Sequence, residues 1–140
     1  MNLHPVIFVA GPYRSRWGWP GIVLNIWRAR AAAKTLWRMG VYPLVPHLNS
    51  CLMDGVVNDY TFLAGDRELL RRCDAVLVLS GWRRSVGTMA EIAYADQLGL
   101  PVIFGVTAFM AWWRVVRREL LLDLAVDEPP GYPPGAERSA

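Results

Sequence analysis

AVLVLSGWRRSVGTMAEIAYADQLGLPVIF, residues 75–104, holds a complete strand–helix–strand unit. Ala75 to Leu79 is an unbroken apolar run, the pattern of a short strand buried on both faces. Ser80 to Arg84 is a polar loop, Val86 to Leu98 reads as a helix, and Gly99 stops it. Pro101 to Phe104 is a second short strand. A helix that connects two strands through loops this short argues for a parallel pair.

The same alternation extends outward in both directions. Val6 to Ala10 is a strand ending at Gly11-Pro12, and Pro20 opens a helix with Ile22, Ile26, Ala29, Ala33 and Leu36 on one stripe. Gly40 is its stop, and Val41 to Val45 is a strand closed by Pro46. A loop from Pro46 to Asn58 carries His47, Asn49, Asp54 and Gly55; Asp59 is placed to cap a helix running to about Arg72. Ala108 to Leu124 is a last helix. The expected fold class is therefore α/β: a single domain over residues 1–126, with a mainly parallel sheet of about four to five strands and helices on both faces, Rossmann/flavodoxin-like. Residues 127–140, rich in proline and glycine, are expected to form a flexible tail. There are no internal repeats.

Composition narrows the classes. The chain has 140 residues, enough for one domain with a real core. Its hydrophobic fraction is 54%, yet the longest apolar stretch, Leu98 to Trp113, is shorter than the ~20 residues of a spanning helix and runs into Arg114, Arg117 and Arg118. No membrane association is expected, and no secretory signal precedes the first strand, so a cytoplasmic location is expected. Cys51 and Cys73 have no zinc-ligand spacing, and neither a metal nor a cofactor is expected. The net charge is +3, with arginine far outnumbering lysine. A guanidinium suits phosphate or carboxylate, although a solvated basic face would read the same way. No nucleic-acid module is present and the arginines are dispersed, so nucleic acid is not an expected partner.

In parallel α/β sheets ligands sit outside the carboxyl ends of the strands, which directs attention to the loops at 11–19, 46–58 and 80–85. Asp66 lies on the apolar stripe of its helix with Phe62, Leu63, Leu69, Leu70 and Cys73. A carboxylate there must find partners or hold a raised pKa. Glu91 is the only charged residue between Val86 and Ala95, near a helix start where a carboxylate also suits the dipole. Ser85-Val86-Gly87-Thr88 opens that helix, and its N–H groups form either an anion site or an ordinary serine cap. Gly11-Pro12-Tyr13-Arg14 brings a phenol and an arginine to the same edge, without a GxGxxG or Walker pattern. His47 either lines the cleft or serves the structure. Trp17, Trp19 and Trp82 sit in nearby loops where they could stack on a base, while Trp112 and Trp113 read as core or interface.

Three segments resemble the nucleoside 2-deoxyribosyltransferase superfamily, and are closest to its 2′-deoxynucleoside 5′-monophosphate N-hydrolases: VIFVAGPYR from Val6, Asp66 followed by Asp74 at a strand start, and S-x-G-T-x-x-E-I-x-Y-A from Ser85 to Ala95. The likeness spans roughly residues 6–104. It implies Glu91 as the nucleophile at the sugar's anomeric carbon and Asp66 as the acid assisting the departing base. It also implies Arg14, Ser85, Gly87 and Gly11 as holders of a 5′-phosphate. Members acting on unphosphorylated nucleosides tend to carry Asp at the position of Ser85, so a small-molecule nucleotide is the expected substrate. Family members often have Tyr where Phe8 stands; Phe8 and His47 are then expected in the base or sugar pocket, with Tyr13 supplying the phenol. The resemblance further implies a homodimer or higher homo-oligomer.

The chemistry so implied is that of a retaining glycosidase, with ionised Glu91 forming a glycosyl ester, protonated Asp66 assisting departure, and carboxyl groups about 5–5.5 Å apart. The expected reaction is hydrolysis of a (deoxy)nucleoside 5′-monophosphate to free base and sugar 5-phosphate. A deoxyribosyltransferase and a nucleotide-binding or sensing module without turnover are the alternatives. A phosphoribohydrolase also uses Gly-Thr-x-x-Glu, but the double-glycine loop expected before it is replaced here by Trp82-Arg83-Arg84-Ser85.

Overall fold

The computed structural model describes residues 1–126 apart from Leu52 and Asp54. The expected tail over 127–140 and Asp54 of the expected loop lie outside the described residues. The elements follow in the order β1 (Val6–Ala10), α1 (Trp19–Arg38), β2 (Tyr42–Leu44), α2 (Pro46–Asn49), α3 (Asp59–Leu70), β3 (Ala75–Val78), α4 (Val86–Gln97), β4 (Val102–Phe104) and α5 (Val106–Val126). All the strands are parallel and lie in the order β2-β1-β3-β4. The fold is a single α/β layer stack, as the alternation in the sequence implies.

The side-chain period of two along each strand sorts the core onto two faces. Ile7, Val9, Ala75 and Leu77 point toward α1 and α5, where they meet Ala29, Leu36, Phe109 and Trp113. Phe8, Ala10, Val76 and Val78 point the other way, toward Leu70 of α3 and Ala95 of α4. Each central strand is therefore apolar on both sides, which is why AVLVL has no polar break. Asp74 joins the strands at their other end: its Oδ2 accepts the Val6 N–H at 2.7 Å.

Local chemistry sets the helix ends. Pro20 lies in the first turn of α1, and Gly40 follows the helix at φ 72, a conformation that favours glycine. The cap of α3 is Asn58, one residue before the expected Asp59; its side chain accepts the Thr61 N–H at 2.9 Å. Ser85 caps α4, accepting the Thr88 N–H at 3.2 Å and the Thr88 hydroxyl at 2.9 Å. The first four residues of the expected loop, Pro46–Asn49, form the single turn α2, where Pro46 sits at the first position and its missing N–H costs no helical hydrogen bond. A 3₁₀ turn, Trp82–Arg84, interrupts the polar loop before Ser85.

Candidate active site

The strand order reverses direction at β1: the chain passes from β1 to β2 on one side, then crosses to β3 on the other. Two loops diverge above such a switch point and leave a crevice. Here that crevice is a cleft of about 440 Å³. The loop after β1 contributes Gly11, Tyr13 and Arg14; α2 contributes His47; α3 contributes Asp59, Phe62 and Asp66; the start of α4 contributes Ser85, Gly87, Thr88 and Glu91. A groove of similar volume between Met39 and α5 is lined by apolar side chains and Arg114, Arg117 and Arg118, with no carboxylate and no nucleophile.

Asp66 and Glu91 reach the same cleft from helices that pack against each other. Burial pushes the Glu91 carboxyl up to about 8, and the nearby charge of Asp66 adds to the rise. Burial alone raises Asp66 to about 6. Two acids that feel each other in a dry site do not both ionise freely, and around neutrality the pair holds one proton. Burial raises Glu91 further than Asp66, because six residues beyond the Ser85 cap Glu91 has left the solvated helix terminus, and the retained proton belongs to the pair.

His47 is 5% exposed and lines the cleft, with its ring edge-to-face against Tyr13 at 5.7 Å. Burial lowers its pKa, outweighing the Pro12 and Gly11 carbonyls that favour the proton, so the ring stays neutral. Among the described residues, neither ring nitrogen has a hydrogen-bond partner of good geometry. A neutral imidazole offers one donor and one acceptor, a fit for a heterocycle edge or sugar hydroxyls. Gly11 is closely packed: a Cβ there would meet Leu79 Cβ at 3.1 Å, so the leucine would have to give by a few tenths of an ångström.

Two expectations are corrected. Phe8 is wholly buried among Ala10, Leu70, Val76 and Val78 and does not line the cleft. It stands two residues below the end of β1, roughly 7 Å down the strand, with Ala10 between it and the crevice. The tryptophans at 17, 19 and 82 are not in the cleft either. Trp17 and Trp19 face solvent, and Trp82 packs against Phe104. Of the pair expected in core or interface, Trp113 is buried and Trp112 packs beside it.

The sequence reading also missed members of the cleft. Arg84 lies beside the α4 cap and takes part in none of the ion pairs among the described residues. It was hidden inside a loop read only as polar, although its position next to the cap residue was a usable signal. Arg14 is in the cleft as expected, but its Nη2 contacts both carboxylate oxygens of Asp59 at 2.9 Å. Asp59 was read only as a helix cap.

A family model described as "Domain of unknown function (DUF4406)" matches residues 21–104, a span that includes Asp66, Ser85 and Glu91. No curated protein matches the sequence. Among solved structures, the 2-deoxyribosyltransferase of the psychrotolerant bacterium Bacillus psychrosaccharolyticus superposes with TM-score 0.55 at 17% identity, over 71% of this chain and 70% of that one. The 2-deoxyribosyltransferase of Leishmania mexicana gives 0.52 at 19% identity, over 71% of this chain and 63% of that one, so this chain spans less than two thirds of its length. The solution structure of BlsM gives 0.55 at 13% identity, over 93% of this chain and 98% of that one. At these identities the likeness is one of fold. Among the described residues, no helix is long and apolar enough to cross a membrane.

Proposed function

The chain belongs to the DUF4406 family, and from its cleft we propose that it is an enzyme that breaks the N-glycosidic bond of a nucleoside-type small molecule and passes the sugar to an acceptor. The observation that carries this reading is the placing of Asp66 and Glu91, from two helices, in one water-poor cleft at the sheet's switch point. The pair shares one proton near neutrality, and in the reacting form that proton sits on Asp66, leaving Glu91 as carboxylate. A Glu91 oxygen then attacks the anomeric carbon, the carbon–nitrogen bond breaks, and its electron pair leaves with the base. Asp66 returns the proton to the base nitrogen. The glycosyl ester on Glu91 is then released by an incoming nucleophile. Tyr13 and His47 fit the sugar or base end of such a ligand.

The fold shared with two 2-deoxyribosyltransferases favours a second base as acceptor. Water is the second reading, and the basic end of the cleft favours a phosphorylated substrate for either. Arg84, Ser85 and Gly87 border the cleft at the start of α4, with Arg14 bordering it from the loop after β1; there a hydroxyl and helix N–H groups suit an anion, and a carboxylate in place of Ser85 would repel it. The exposed Trp17, Trp19 and Trp27 support a second copy of the chain as a partner.

The test is incubation with a panel of nucleosides and nucleoside 5′-monophosphates, with and without a different free base, followed by chromatography. A new glycosylated base marks transfer, and free base without exchange marks hydrolysis. Either product should vanish in Glu91→Ala. Binding with no product from any substrate would replace the enzyme reading with that of a sensor.

A further inference from the structure

We propose that the Arg14–Asp59 ion pair is a latch that the phosphate of a ligand must open, making Asp59 the residue that limits the cleft's affinity for phosphorylated ligands while leaving unphosphorylated ones unaffected. This rests on the nucleoside-type reading of the cleft for its ligand class, though not on turnover.

Arg14 leaves the loop after β1, and Asp59 is the first residue of α3, 45 positions away. Both line the cleft, and Asp59 stands two helical turns before Asp66 on the same face of α3. The contact is made through one nitrogen, Nη2, to both carboxylate oxygens, and not through the two-nitrogen fork that gives the strongest arginine–carboxylate pairs. The two side chains are 69% and 73% exposed. A pair so exposed is weakly held, because water competes for both partners. It is strong enough to park the guanidinium and weak enough to be displaced.

A phosphate displaces it readily. It carries close to two charges and three acceptor oxygens, and it matches the planar fork of arginine. Gly87 and the Arg84 side chain border the same cleft, so a bound phosphate gains partners that Asp59 does not have. An unphosphorylated sugar offers only a hydroxyl, which cannot exchange with a carboxylate, so it binds with the ion pair left in place. Asp59 also repels any anion directly. Both effects of Asp59 thus fall on the phosphorylated ligand alone: it lowers the affinity that Arg14 would otherwise give and leaves nucleoside binding untouched.

Asp59→Asn removes the charge and keeps the shape. Calorimetric titration should show inorganic phosphate, and a nucleoside 5′-monophosphate, binding about fivefold tighter to Asp59→Asn than to the native protein. The corresponding nucleoside should bind equally well to both. Arg14→Gln should weaken the monophosphate, and in the double variant the Asp59→Asn gain should shrink to the part that comes from direct repulsion. A purely structural tie would instead shift nucleoside and nucleotide together. That result, or unchanged or weaker phosphate binding in Asp59→Asn, overturns the latch. The two proposals fail separately. Base exchange with no phosphate response to Asp59→Asn removes the latch alone, whereas a phosphate response with no product from any substrate removes the enzymatic reading alone.

Discussion

Glu91→Gln removes the charge that burial resists and keeps nearly the same volume, so it isolates the cost of ionising this site. The folded-state pKa of about 8 stands above the ordinary 4.5, so the folded protein retains a proton that the unfolded chain releases. The stability tied to Glu91 is therefore intact below pH 4.5 and is lost as pH rises through about 8. The difference of about 3.5 pH units, at about 1.36 kcal/mol each, sets a ceiling of about 5 kcal/mol. Glutamine does not titrate, so the variant escapes this loss, and what remains is an offset plus the smaller change in Asp66 ionisation that follows from losing its charged neighbour. Between pH 5 and pH 9 the stability of Glu91→Gln relative to the native protein should rise by about 4 kcal/mol. Urea denaturation of both proteins across that range, followed by tryptophan fluorescence, reads the difference directly. A difference flat to within about 1 kcal/mol would show Glu91 hydrated like a surface carboxylate, and the water-poor cleft would be refuted.

Phe8→Ala should destabilise the protein by about 3–5 kcal/mol in the same denaturation experiment, because it empties a fully buried site in the core. Ser85→Ala should cost about 1 kcal/mol, since the Thr88 N–H and the buried Thr88 hydroxyl lose their acceptor together; an unchanged midpoint would discount the cap. Light scattering at micromolar concentration should report a dimer or larger assembly, and a monodisperse monomer would remove the proposed second copy.

Much of the fold was legible in the sequence because its signals are local. Strand and helix periods, Pro20 at a helix start, Gly40 at its end and Ser85 before a turn of backbone N–H groups are written within a few residues. Asp66 and Glu91 stood out for a related reason: each is a carboxylate where its own helix pattern calls for an apolar or small residue. The order of the strands was not legible, because pairing β1 with β3 joins residues nearly 70 positions apart.

The sequence by itself determined the alternating elements and the two acids, since both follow from periodicity within single segments. Only the tertiary structure decided what surrounds them. It put Phe8 under Ala10 in the core, turned Trp17 and Trp19 to solvent, brought Arg84 to the cleft and joined Arg14 to Asp59. It also decided that both acids resist ionisation, because desolvation depends on everything packed around a side chain, and residues distant in sequence supply that packing.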